Sequence, residues 1–284
     1  MHRSVFIIGN GYVGQRVASL WAARLPVTVS HRQNQNSLVG LSATSLVLDL
    51  DLDDGEALHG TAGSLIYYFV PPPAQGQYDT RLGNFLARLA DGALPARFVL
   101  ISTTGVYGDN AGAWVDENTP PAPHFDRARR RLHGEQQLQQ WAEAKKIPWV
   151  ILRIPAIYGP GRLPEKSLRD ARPVVCAEEA PWVNRIHVDD LVQFCLAAGT
   201  REVTGIFNIS DGEPRTMTEY FFQVADALGL PRPPTLSLAQ ARQVMTPGML
   251  SYLAESRRVS NRKALAELGV ILKYPNLAAG LAAC

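Results

Sequence analysis

Cysteine is scarce in this chain. Its 284 residues hold three, Cys176, Cys195 and Cys284, far apart and without a C-x-x-C pair. That spacing excludes a disulfide framework and offers no zinc-binding pattern, so a reducing compartment and no metal are expected. Long apolar runs are absent as well. The longest, such as Leu65–Val70, fall far short of the roughly 20 residues that cross a bilayer. Neither charge sign is in excess: 28 Lys and Arg against 26 Asp and Glu give +2 at pH 7, so neither a nucleic-acid nor a membrane partner is expected. No internal repeat or low-complexity tract occurs, and Pro71–Pro73 reads as a local break rather than a linker. The first strand is expected from about Ser4, with no basic leader and apolar stretch ahead of it. A cytoplasmic location is the expectation.

Against these absences stands Val5–Gly14, V-F-I-I-G-N-G-Y-V-G. Val5–Gly9 is an apolar run with β-branched members, suited to a strand buried on both faces. Gly9, Gly11 and Gly14 follow at G-x-G-x-x-G spacing, and Val13, Val17, Ala18, Leu20 and Trp21 then recur at helical spacing. Strand, glycine turn and helix together point to a dinucleotide site. Gly9 permits the tight turn, Gly11 lets the backbone approach a pyrophosphate, and Gly14 lets the helix lie against the strand. Asn10, Tyr12 and Val13 fill the same turn and are counted with the cofactor site. The helix N-terminus then faces the phosphates.

Pro26–Ser30 reads as a second strand. An acidic residue at its end would favour NAD, and an arginine accommodates the 2′-phosphate of NADP. This chain has Ser30, His31 and Arg32 there. NADP is therefore expected rather than NAD, with His31 and Arg32 at the phosphate; otherwise Arg32 is a solvated loop charge.

Ser45–Leu50 is a third strand, leading into Asp49, Asp51, Asp53 and Asp54. The D-L-D-L-D-D pattern lacks the glycine and terminal glutamate of a calcium loop. Asp49 or Asp51 is expected at the adenine edge, with the others capping a short helix around Glu56–His59. Leu65–Val70 is a fourth strand that ends at the cofactor crevice, which puts Val70 and Pro71 beside the cofactor. A helix over Tyr78–Ala90 and a strand over Phe98–Ser102 follow. Strands alternating with helices give βαβ units and a parallel sheet.

Three further segments carry a resemblance: Ser102–Gly108 (S-T-T-G-V-Y-G), Arg153–Arg162 (R-I-P-A-I-Y-G-P-G-R) and Arg185–Leu191 (R-I-H-V-D-D-L). In this order after G-x-G-x-x-G, the chain resembles the extended short-chain dehydrogenase/reductases, which include NAD(P)-dependent sugar epimerases and dehydratases. The resemblance runs from Val5 to about Pro275. It implies a doubly wound α/β Rossmann domain over 1–155 and 186–210, with a small C-terminal substrate lobe over 156–185 and 211–284. It implies a hydroxyl at Thr103 and a cofactor contact at Pro155. It also implies pairing of two copies through the helices over Tyr78–Ala90 and Asp126–Ala144.

The family's Tyr-x-x-x-Lys pair does not match. Glu135 aligns with a family glutamate, and counting back four and eight residues gives Arg131 and Arg127. No tyrosine lies between Tyr107 and Tyr158. Arginine does not deprotonate at working pH and cannot replace the tyrosine as acid or base, although Arg131 can serve as a cation at the nicotinamide ribose. The resemblance is to atypical members of the family. Ala156 and Val183 replace an Asn and an Arg of nucleotide-sugar enzymes, which argues against a nucleotide-sugar substrate.

Asp126–Arg131 (D-R-A-R-R-R) holds four arginines. Arg127 and Arg131 share a helix face and are expected to hold an anionic small molecule, while Arg129 and Arg130 read as a solvated face. Further basic residues, Arg162, Lys166, Arg169, Arg172, Arg257 and Arg258, are expected around the same ligand. Tyr107, His124, His133 and Thr104 are candidates for the missing acid or base, and His124 sits just before the helix. His187 reads as structural, with Asp189 or Asp190 capping a helix over about Leu191–Ala198. Further helices are expected over Met217–Leu228, Ser237–Met245 and Arg262–Leu268. Two functions follow: an NADP-dependent oxidoreductase or epimerase-like enzyme of non-standard mechanism, or a non-catalytic NADP-binding sensor or scaffold.

Overall fold

The computed structural model describes residues 2–32, 42–52 and 57–284. Seven parallel strands form one sheet: β1 (Val5–Ile8), β2 (Val27–His31), β3 (Thr44–Val47), β4 (Leu65–Tyr68), β5 (Arg97–Thr103), β6 (Trp149–Ile154) and β7 (Gly205–Asn208). Their order is β7-β6-β5-β4-β1-β2-β3. The chain winds outward from β1 in both directions, so the order reverses between β4 and β1 and opens a crevice at their carboxyl ends.

Helices cover both faces, which is why β1 and β4 are apolar at every position and wholly buried. On one face α1 (Tyr12–Ala22) packs Val17 and Trp21 with Leu191 and Phe194 of the later helix Val188–Thr200. On the other, α2 (Thr80–Ala87) buries Leu82 and Phe85 against Leu138 and Ala142 of α3 (Asp126–Lys145). The α/β doubly wound fold expected from the sequence is the one observed.

Element ends follow their caps. The Asp79 carboxylate accepts from Leu82 N–H and starts α2 at Thr80 rather than Tyr78. The third strand ends at Val47, not Leu50, and Asp49 instead accepts from the Asp51 N–H at 2.9 Å. The expected helix around Glu56–His59 falls partly outside the described residues, as do Asp53 and Asp54, and Ala57–His59 is not helical.

Beyond the sheet come α4 (Glu165–Arg169), α5 (Val188–Thr200), α6 (Met217–Ala227), α7 (Leu238–Val244), α8 (Pro247–Leu253), α9 (Arg262–Leu268) and α10 (Leu277–Leu281). Helices α4, α6 and α10 share a separate apolar cluster around Tyr158, Leu168, Val224 and Leu281. Helix α5 begins three residues earlier than expected. Its cap is His187, whose Nδ1 accepts from the Asp189 N–H at 3.2 Å. Asp190 is not the cap; its carboxylate accepts from the Lys273 and Tyr274 N–H groups at 2.8 and 2.9 Å.

One buried ion pair sets the position of α3. Glu135 accepts from Arg153 Nη2 at 2.7 Å and from the Ser102 hydroxyl at 2.5 Å. Residues from α3, β6 and β5 are thereby clamped together. The clamp holds the N-terminal turns of α3 over the carboxyl end of β5.

Candidate functional site

Two clefts, each about 510 Å³, open at the carboxyl edge of the sheet. The first is lined by Gly9, Asn10, His31, Arg32, Asp49, Val70 and Pro71, with Gln15, Ser30 and Arg81. Its floor is the glycine turn. Gly9 sits at φ +104°, and its N–H donates to the Ser30 hydroxyl at 3.0 Å. A Cβ on Gly14 would lie 2.2 Å from the Gly9 carbonyl oxygen, so the helix can approach the strand only with glycine there. A Cβ on Gly11 would meet nothing within 4 Å. That open backbone starts α1, whose first turn has no side-chain cap and no acidic residue. The first N–H groups of a helix have no partner within it, and with no side-chain cap here they suit an anion such as a pyrophosphate, so the residues fit a dinucleotide.

At the mouth of this cleft Arg32 pairs with Asp49 at 3.3 Å and with Asp51. Arg81, which periodicity in the sequence did not reveal, donates to Asp51 at 2.8 Å and to the Pro71 carbonyl at 3.0 Å. His31 Nε2 hydrogen-bonds the Ser45 hydroxyl at 2.6 Å. Arg32 is more than half exposed, so its pairs with the carboxylates are weak and exchangeable. Tyr12 and Val13 point away from the cleft: the Tyr12 hydroxyl donates to the Pro160 carbonyl at 2.9 Å, and Val13 is buried in the core.

The second cleft brings together Thr103, Arg127, Arg131 and Pro155 with Asn184, Tyr252, Glu255 and Arg257. Thr103 ends β5, and its Oγ1 accepts from the Gly105 N–H at 3.1 Å. Arg127 lies between two rings, 4.5 Å from Phe125 and 4.4 Å from Tyr252. It donates to the Ser251 hydroxyl at 2.7 Å and to the Ser251 carbonyl at 3.2 Å. Arg131 donates to the Ile101 carbonyl at 3.2 Å, and burial lowers its pKa while the nearby Asp79 raises it. Arg257 donates to the Gly108 carbonyl at 2.6 Å and to Glu255 at 3.1 Å, and its pKa too is lowered by burial.

Of the other candidates Thr104 lines the same cleft beside Thr103, and the rest are dispersed. His124 is exposed and does not line the cleft. His133 accepts from the Asp79 N–H at 3.2 Å and meets the Tyr78 ring edge-on at 4.9 Å. The Tyr107 hydroxyl is buried and donates to Asn208 at 2.9 Å, and burial raises its pKa. Arg130 is buried, not solvated; it donates to the Gly76 carbonyl at 2.6 Å. Arg129 does face solvent, paired with Asp126 at 2.8 Å. Of the outlying basic residues only Arg257 reaches the cleft: Arg162 stacks on Tyr12, Arg169 pairs with Glu165, Arg172 with Asp170, and Arg258 lies over Trp114 and Trp182. Arg185 packs 3.3 Å over the Tyr220 ring. Among the described residues no group of three or more His, Cys, Asp or Glu is placed to hold a metal, and no helix is long and apolar enough to cross a membrane.

Residues 5–210 match the model of the NAD dependent epimerase/dehydratase family. The chain belongs to that family. A 3-diazoavenalumate denitrifying reductase from a Streptomyces species is 28% identical over 225 residues, 74% of this chain and 73% of that protein. A structure of a functionally unknown conserved protein from Silicibacter pomeroyi superposes with a TM-score of 0.83 at 30% identity, over 99% of this chain and 97% of that one. UDP-glucuronic acid 4-epimerase from Bacillus cereus, solved with NAD, shares the fold of this family member at 18% identity, with a TM-score of 0.78 over 99% and 96% of the two chains.

Proposed function

We propose that the chain is an NADP-dependent oxidoreductase of the epimerase/dehydratase family acting on a small anionic molecule. The observation that carries this reading is the pairing of an uncapped, glycine-open helix N-terminus in one cleft with Thr103 and three guanidinium groups in the next. The name of the Streptomyces relative favours a reductase over an epimerase.

In this reading the turn from Gly9 to Gly14, with Asn10 and the Tyr12 and Val13 N–H groups, receives the diphosphate. Arg32 and His31 receive the 2′-phosphate, and Asp49 the adenine edge. Val70, Pro71 and Pro155 wall the path toward Thr103. NADPH held there would supply the hydride chemistry. The Thr103 hydroxyl already accepts one N–H, so its proton is free for the substrate oxygen. Arg131 supplies the cation beside the nicotinamide ribose, and Arg127 and Arg257 hold the anionic part of the substrate. None of these arginines releases a proton at working pH, so the Thr103 hydroxyl holds the substrate oxygen by a hydrogen bond and the proton that oxygen takes up comes from water. The division into nucleotide domain (1–155, 186–210) and substrate lobe (156–185, 211–284), a cytoplasmic location and a homodimer through α2 and α3 belong to the same proposal.

A second reading rests on Arg127. It stands where the family's tyrosine is expected and is tied to Ser251, which suits a protein that binds NADP without turning it over. Single-turnover oxidation of bound NADPH against a panel of aldehyde and ketone acids decides between them. Oxidation by any member of the panel supports the enzyme; tight binding with none supports the sensor.

A further inference from the structure

The second cleft does not end at its guanidinium groups. Met217, the first residue of α6, lines it and also lines an apolar cavity of about 310 Å³. Val174, Val175, Phe221, Met249 and Leu253 form much of that cavity's wall. Helix α8 borders both spaces. Its Tyr252 faces the cleft and packs on Arg127, while Met249 and Leu253 face the cavity.

The cavity offers little polar chemistry of its own. The Thr218 hydroxyl is spent on the Val175 carbonyl, and the Thr246 hydroxyl accepts from the Met249 N–H. Its one charged lining residue, Arg172, is paired with Asp170 at 3.2 Å. With only Ser167 and the Thr246 proton left over, a base or sugar seated here would replace few of the hydrogen bonds it loses to water. The volume is about twice the ~150 Å³ at which an apolar cavity admits benzene, and methionine walls adapt to irregular shapes. On the cleft side, Arg257 Nε is buried with no acceptor and Glu255 Oε1 with no donor. Both atoms lie too deep for a ligand to reach, and the Arg127 guanidinium, one-third exposed, is the group open to a carboxylate.

We propose that the substrate is a carboxylic acid with an apolar tail, alkyl or aryl. Its tail passes Met217 into the cavity, and its head lies at Arg127 and Arg257. The proposal rests on reading the second cleft as the substrate site. Calorimetric titration of butyrate, hexanoate and octanoate into the NADPH-loaded protein tests it, with UDP as the rival ligand. Each added methylene should tighten binding about fourfold, and UDP should fail to displace octanoate. Met249 is partly exposed, so Met249→Glu should fold. It should abolish the chain-length dependence while leaving NADPH affinity unchanged. Equal affinity for the three acids, no saturable binding of any, a chain-length effect that survives Met249→Glu, or displacement by UDP would each overturn the proposal. NADPH affinity is read separately. Its absence would count against the cofactor reading and leaves the acid series, repeated on the cofactor-free protein, to be judged alone.

Discussion

Arg127 donates to the Ser251 hydroxyl oxygen at 2.7 Å, joining the first turn of α3 to α8 across 124 positions of sequence. The guanidinium is held in place by that bond, by the Ser251 carbonyl and by the two flanking rings, so its charge stays fixed at the cleft wall. Arg127→Ala should cost about 2–3 kcal/mol of stability, from two hydrogen bonds to Ser251 and partly exposed contacts with two rings. It should weaken carboxylate binding roughly tenfold or more, because hydrogen bonds to charged groups contribute about 1.5–3 kcal/mol. Calorimetry and thermal unfolding measure both. An unchanged carboxylate affinity would remove Arg127 from the binding site.

Gly11 and Gly14 separate binding from folding. Gly11→Ala adds a methyl group into open space at an ordinary φ of −91°, so the fold should persist while dinucleotide affinity falls. Gly14→Ala drives a methyl group into the Gly9 carbonyl and should destabilise the protein itself. Urea unfolding and NADPH titration of both variants check this. Equal loss of stability in the two would contradict it.

These glycines also show how far the sequence could be read. The strand–turn–helix unit, the buried strands β2, β4 and β5 and the apolar face of α2 were legible because apolar periodicity and special residues are local signals. The companions of Thr103 were not. Asn184, Tyr252 and Glu255 reach the cleft through tertiary folding, from segments with no periodicity linking them to β5. Helix α8 was missed although its signal is present: Thr246 caps Met249 N–H and Pro247 stands at the first helical position. Burial of Arg130 could not be read either, because the partner that takes its charge-bearing group is the distant Gly76 carbonyl.

The Glu135–Arg153 pair should be indispensable to the fold. Both side chains are almost wholly buried, so Glu135→Ala leaves an uncompensated guanidinium and should cost roughly 3–5 kcal/mol. Ser102→Ala removes one hydrogen bond to the same carboxylate and should cost less, about 1–3 kcal/mol. Chemical denaturation distinguishes them. A cost for Glu135→Ala no larger than that for Ser102→Ala would show that the pair is not what positions α3.

Asp211 gives a pH dependence of known sign. Burial raises its carboxyl to about 7, although the Glu213 N–H bond opposes the shift. A carboxyl raised in the folded state favours folding most below its unfolded value, and that contribution is lost as the pH climbs to about 7. The loss amounts to at most about 4 kcal/mol. Asp211→Asn should therefore gain stability over the wild type at pH 8 relative to pH 4.5. A difference independent of pH would mean that the carboxyl titrates normally.

The central claim is an NADP site whose selectivity comes from Arg32, and its most direct test is calorimetric titration of NADPH and NADH into the wild type and Arg32→Ala. The wild type should bind NADPH at least tenfold more tightly than NADH. The variant should lose that preference by weakening NADPH alone, since only the 2′-phosphate meets the guanidinium. Equal affinity of the wild type for the two cofactors, or a preference that survives Arg32→Ala, would contradict the account.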